Sequence, residues 1–190
     1  MGEHDRVAVH VDGAGVRVYL LHDLVGVADR GQPGADVDEL ADPLRPGPGT
    51  PAGAPGSGGY TADFIFPEPA PAPVTTIAWR LAHIIVGVFG MRAAAHFGGP
   101  PTDYQTHRYA GTAAEALSQL DASYAAWIGG VRSLDASRLD ASRLAAPCGP
   151  AEGPFSDAPM VGLVLHISRE AIHHGAEIAL LRDLYPHRAR

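Results

Sequence analysis

The sequence contains no lysine, so all 14 of its basic residues are arginine, set against 21 acidic ones for a formal net charge of −7. No basic run stands out. An acidic balance without clustered positive charge excludes the usual nucleic-acid surface. Cysteine is nearly absent too: Cys148 is single and has no partner in the chain for a disulfide. No stretch offers the ~20 unbroken apolar residues that a bilayer span needs. The opening MGEHDRVAVHVDG lacks a basic region followed by an apolar one, so it does not read as a secretory signal. These absences set the expectation of a cytoplasmic protein with neither a membrane nor a nucleic-acid partner. The length of 190 residues suffices for one domain with a sizeable core.

Strand patterns are also scarce. VAVHV alternates like a short strand, and Val16 to Arg30 spaces Val16, Tyr19, Leu20, Leu24 and Val27 along a helical stripe that Gly26 weakens. Fourteen of the 29 positions from 31 to 59 are Gly or Pro. Glycine raises the entropy lost on ordering and proline removes backbone donors, so this reads as an irregular connector. Residues 1–59 thus form an atypical N-terminal segment, a weak helix at 16–30 and a connector at 31–59, ahead of a domain at 60–186.

That domain is helical by pattern. YTADFIFPEPAPAP is an extended lead-in, and Thr75 or Thr76 caps a helix that runs to about Phe97 and stops at Gly98-Gly99-Pro100-Pro101. Apolar residues lie nearly all round it, which predicts burial on most sides. Its His83 shares a side with Trp79, Gly87 and Gly90, whose small size would let another helix come close. Thr112 and Glu115 form a T-x-x-E capping box for a second helix, Ala113 to Leu134, with Leu117, Leu120, Tyr124, Trp127, Ile128 and Val131 at three-and-four spacing. DASRLDASRL reads as a duplication within a connection. AAPCGPAEGPFSDAP reads as a loop that ends in Ser156 or Asp157 as N-cap of a last helix, Pro159 to Tyr185. Long helices joined by loops predict an all-α four-helix bundle whose first helix is weak.

The chemistry concentrates in the last helix, which carries His166, Glu170, His173 and His174 in an apolar run. Residues four apart on a helix lie on one face with Cβ atoms roughly 5–6 Å apart. Glu170 and His174 have that spacing and can grip one metal ion, since metal–nitrogen and metal–oxygen bonds of about 2.0–2.2 Å close the gap. A third ligand must come from elsewhere, and His83 is the leading candidate. His173, three after Glu170, is the alternative to His174. His166 is placed to orient Glu170 or a bound ligand, and is the candidate catalytic residue. The bland reading pairs Glu170 with Arg80 or Arg92 in a salt bridge, puts Trp79, Tyr124 and Trp127 in the core, and leaves Cys148 as an inert loop residue.

WRLAHIIVGVFGMRAAAHFGG and HISREAIHHGAEIALLRDLY together resemble the DinB-like superfamily, whose relatives include mycothiol-dependent maleylpyruvate isomerases and bacillithiol transferases. The resemblance covers roughly residues 60–186. It implies a four-helix bundle with a divalent metal on His83, Glu170 and His174, and a low-molecular-weight thiol such as mycothiol as co-substrate. Zinc is the default for a two-histidine, one-carboxylate set, and nickel, iron or manganese would accept it. Residues 1–59 depart from the family pattern, lacking its usual first helix and tryptophan-containing connection. The implied function is a metal-dependent transferase or isomerase acting on a small molecule through an activated thiol, or a hydrolase using water. The rival is a metal-stabilised bundle with a binding or stress-related role and no turnover. Related bundles often form homodimers.

Overall fold

The computed structural model describes residues 55–62, 76–134 and 141–184, together with the backbone of Val11–Asp12 and Gly15–Val16. The latter pair as antiparallel two-residue strands, β1 and β2. Val16 is therefore a strand residue and not the start of a helix. The rest of the helix expected at 16–30 lies outside the described residues, as do most of the connector and the proline-rich part of the lead-in. Among the described residues the remaining main elements are helices: α1 (Ile77–Phe97), α2 (Ala113–Ser133), the single-turn α3 (Ala141–Ala145) and α4 (Met160–Leu184).

α1 is the axis of the fold, and α2 and α4 both pack on it. Its start is Thr76, whose hydroxyl accepts the Trp79 N–H at 3.1 Å. Its end is Gly98, left-handed at φ 70°, with the Gly99 N–H returning to the Ala93 carbonyl at 3.1 Å. Glycine takes that conformation without a Cβ clash, so the chain stops where the Gly-Gly-Pro-Pro signal places it. Burial on most sides is as expected, since Ile84 through Phe89 are all buried. Phe89, Ile84, Ile167 and Ile178 are among the largest fully buried side chains, and all belong to one apolar core. Each contributes roughly 1.5–3 kcal/mol on burial. An exposed ion pair is worth about 0–1 kcal/mol, so apolar packing on α1 holds the bundle together.

α1 is not uniformly α-helical. His83–Gly90 form a π-helical stretch, with the Met91 N–H bonded five residues back to Val86. Such segments are rare and recur at functional sites. α1 is also long and apolar enough to cross a bilayer, although half of its most apolar stretch is buried inside the fold. Arg80, His83, Arg92 and His96 interrupt the run, and all four find partners within the protein.

Two connections hold more structure than the sequence suggests. In the 98–111 loop, Asp103 Oδ1 accepts the N–H groups of Gln105 and Thr106, both at 2.8 Å, and Tyr109 donates its hydroxyl to the Tyr104 carbonyl at 3.0 Å. The 55–62 segment clamps this loop through Ser57, bonded to Thr106 and His107, and through Tyr60 against Gly111. The predicted loop before the last helix contains a 3-10 helix, Pro150–Phe155, and a bridge between Pro147 and Pro159. Pro159 immediately precedes α4, and its carbonyl accepts the Gly162 N–H at 2.8 Å. The second DASRL copy ends in α3. The capping box at Thr112 forms with one change: Thr112 accepts the Glu115 N–H, but Glu115 reaches back to Gly111.

Candidate metal centre

The π-helical stretch begins at His83, where α1 faces α4. Helical geometry on α4 stacks Glu170 beneath His174, and packing of α4 on α1 brings His83 to the pair. Each of the three offers a ligand atom, and these atoms all lie within 4.8 Å of one another. His174 Nε2 stands 3.6 Å from Glu170 Oε2. The His83 and His174 rings meet edge to face with centroids 4.7 Å apart. His174 is buried, while His83 and Glu170 are half-buried.

Each ring has a second partner. His83 Nδ1 lies 2.8 Å from the Tyr104 hydroxyl, which engages that nitrogen, so a cation would have to be met by the other ring nitrogen, Nε2. Tyr104 reaches it across Gly87, where a Cβ would overlap the tyrosine oxygen, and Thr102 packs in the same way on Gly90. The small residues of α1 thus admit a loop, not the helix expected from the sequence. His174 Nδ1 lies 2.7 Å from Glu177 Oε2, and Glu177 is bound by Arg80 Nη1 at 2.8 Å. Trp79 is not a core residue. It stacks on His83 at 5.8 Å and lies under the Arg80 guanidinium at 5.2 Å, at the rim of the site. Tyr124 and Trp127 do pack in the core, against Phe89 and Phe97.

The electrostatics suit a ligand set. Burial pushes His83 down to about 4, with the neighbouring His174 adding to the shift, so its imidazole is neutral near pH 7. Partial burial alone would raise Glu170, but the Arg169 hydrogen bond and the adjacent His166 and His174 outweigh it and hold the carboxyl below its usual range. Burial lifts Tyr104 to about 12, so it stays a phenol.

The expected salt bridge from Arg80 or Arg92 to Glu170 does not form. Arg80 pairs with Glu177, and Arg92 with Glu152 at 3.4 Å. Glu170 instead meets Arg169 at 3.2 Å and His166 at 3.7 Å. His166 is exposed at the edge of the site and accepts a hydrogen bond from Arg169 at Nδ1, 2.7 Å. His173 is also exposed and turns to Glu177 Oε1 at 3.3 Å, away from the group containing His83. Cys148 belongs to neither metal-competent cluster among the described residues, and burial pushes its thiol up, which disfavours the thiolate.

Tyr104, Glu177 and Glu152 are the functional or structural polar residues that the sequence reading missed. Glu177 carried a signal, three after His174 and four after His173 on one helix. Tyr104 and Glu152 carried none, because residues 21 and 56 positions from their histidine partners are placed only by tertiary packing. The sequence pattern of the DinB superfamily matches residues 35–178, reaching back into the Gly/Pro-rich connector. No curated protein and no solved structure matches the chain.

Proposed function

The chain belongs to the DinB superfamily, and on that footing we propose that His83, Glu170 and His174 hold one divalent cation in a metal-dependent enzyme acting on a small molecule. The observation that carries the proposal is the convergence of three ligand atoms from two helices within 4.8 Å. The geometry fits a cation: tetrahedral bonds of about 2.1 Å set neighbouring donors roughly 3.4 Å apart, and His174 Nε2 to Glu170 Oε2 is 3.6 Å. Two imidazoles and a carboxylate suit zinc best and would also take nickel, iron or manganese. A set of three protein donors is typical of catalytic sites, whereas structural zinc usually has four.

When bound, the cation supplies Lewis acidity that makes a coordinated thiol or water a nucleophile at neutral pH. A low-molecular-weight thiol such as mycothiol is the co-substrate that the family resemblance favours, with water as the hydrolytic variant. The chain's own residues supply the rest. His83 offers an imidazole that burial keeps neutral near pH 7, and Glu170 offers the balancing negative charge. His166 accepts from Arg169 at Nδ1, so its ring presents an Nε2–H that can donate a hydrogen bond to a substrate at the edge of the site.

One observation favours the non-catalytic reading: the ligands bridge α1 and α4, so the same cation would tie the bundle together. Elemental analysis of protein purified without chelators decides the metal. One equivalent is expected in the wild type and none in Glu170→Ala, and full metal in that variant would refute the assignment. A thermal shift on adding thiol to the loaded protein supports the enzyme; no shift supports the structural role.

A further inference from the structure

Glu177 lies beside the candidate centre without belonging to its ligand set, and it makes two short contacts there. Its Oε2 is 2.7 Å from His174 Nδ1 and 2.8 Å from Arg80 Nη1. A carboxylate oxygen can only accept, so at 2.7 Å the ring nitrogen must carry the hydrogen. His174 is then the Nδ1–H form, and its lone pair sits on Nε2, the atom 3.6 Å from Glu170. Arg80 Nη1 also lies 3.4 Å from His174 Nδ1, but it cannot donate to a nitrogen that already bears a hydrogen. Its hydrogen bond therefore goes to Glu177, and the carboxylate sits between guanidinium and imidazole.

A rival arrangement uses the same atoms. His173, His174 and Glu177 form a second cluster of metal-ligand spacing. Two facts weigh against a cation there. The Arg80 guanidinium already neutralises the carboxylate and would repel a dication. His174 would also have to surrender its Nδ1 hydrogen and lose the Glu177 bond.

We propose that Glu177, clamped by Arg80, is a positioning residue that locks the His174 ring and its tautomer so that Nε2 faces Glu170 and His83. Its effect on metal affinity rests on the function proposed above; the tautomer does not. Carboxylates that hold a ligating histidine through its far nitrogen typically change metal affinity 10–100-fold when removed.

The test uses the full chain as wild type, Glu177→Ala, Glu177→Gln, His173→Ala and His83→Ala. Ring-nitrogen NMR on the metal-free protein reads the His174 tautomer, and a chromophoric chelator competing for zinc reads affinity. The wild type should show Nδ1–H, and Glu177→Ala should lose that preference and bind one zinc about 10–100-fold more weakly. Glu177→Gln, whose amide oxygen still accepts, should keep most of the affinity, and His173→Ala should match the wild type. Wild-type tautomer and affinity in Glu177→Ala would overturn the proposal. So would loss of zinc in His173→Ala with retention in His83→Ala, which would place the cation on the Glu177 side. If no form binds zinc, the metal assignment fails by itself, and the tautomer readout still decides the role of Glu177.

Discussion

The Tyr104 hydroxyl rests on the backbone of α1 at Gly87 and meets His83 Nδ1 at 2.8 Å. A loop side chain thereby fixes a core-helix histidine, and the missing Cβ at residue 87 makes the approach sterically feasible. Gly87→Ala should displace Tyr104 and destabilise the fold by about 2 kcal/mol, in the range usual for overpacking. Zinc affinity should fall with it. Combining it with Tyr104→Phe removes the oxygen that the new methyl strikes, and should recover part of the stability but not the affinity. Urea unfolding and chelator competition on both variants measure the two effects.

His83 makes the metal-free protein acid-sensitive. Burial pushes its pKa from the usual 6.5 down to about 4 in the fold, so the unfolded chain binds the extra proton first as pH falls. The stability contributed is fully present above pH 6.5 and is lost as pH falls towards 4. A shift of that size corresponds to roughly 3 kcal/mol, at 1.36 kcal/mol per unit. Urea unfolding at pH 7 and pH 4.5 should show the loss in wild type and a smaller one in His83→Gln, whose side chain does not titrate.

A second polar cluster separates stability from the site. Glu152 takes His96 Nε2 at 2.8 Å and Arg92 Nη2 at 3.4 Å, with only 6% of its side chain exposed. Removing one partner of a buried pair costs about 3–5 kcal/mol because the other is left unpaired. Glu152→Ala should therefore lower thermal stability sharply while the protein that remains folded keeps its full complement of metal. Calorimetry alongside elemental analysis reads both.

His166 should behave in the opposite way. It is exposed and is not one of the three proposed ligands, so His166→Ala should retain one metal equivalent and near-wild-type stability. If its Nε2–H holds a substrate in turnover, the thiol-transfer or hydrolytic rate should drop by about 10-fold. Unchanged turnover in that variant would remove His166 from the mechanism.

Most of the helical fold, and the three residues that meet at the candidate centre, could be read from the chain. Thr76, Gly98 and Thr112 mark helix ends with local hydrogen bonds or backbone conformations that no distant residue has to supply. The 3-10 helix at Pro150–Phe155 escaped because its proline-rich sequence also fits an open loop. The π-helical turn beginning at His83 escaped because its apolar composition is that of any buried helix.

The sequence by itself determined that Glu170 and His174 share a face, because one helical turn fixes their spacing whatever surrounds them. It likewise determined that α1 would be buried, since apolar residues occupy nearly every side. Only tertiary structure decided that His83 meets that pair, that Tyr104 and Glu177 hold the two rings, and that His173 turns away. Those outcomes depend on the docking of α1 against α4 and of the 98–111 loop against Gly87. Distances between separate elements follow from side-chain packing throughout the fold, which no local spacing encodes.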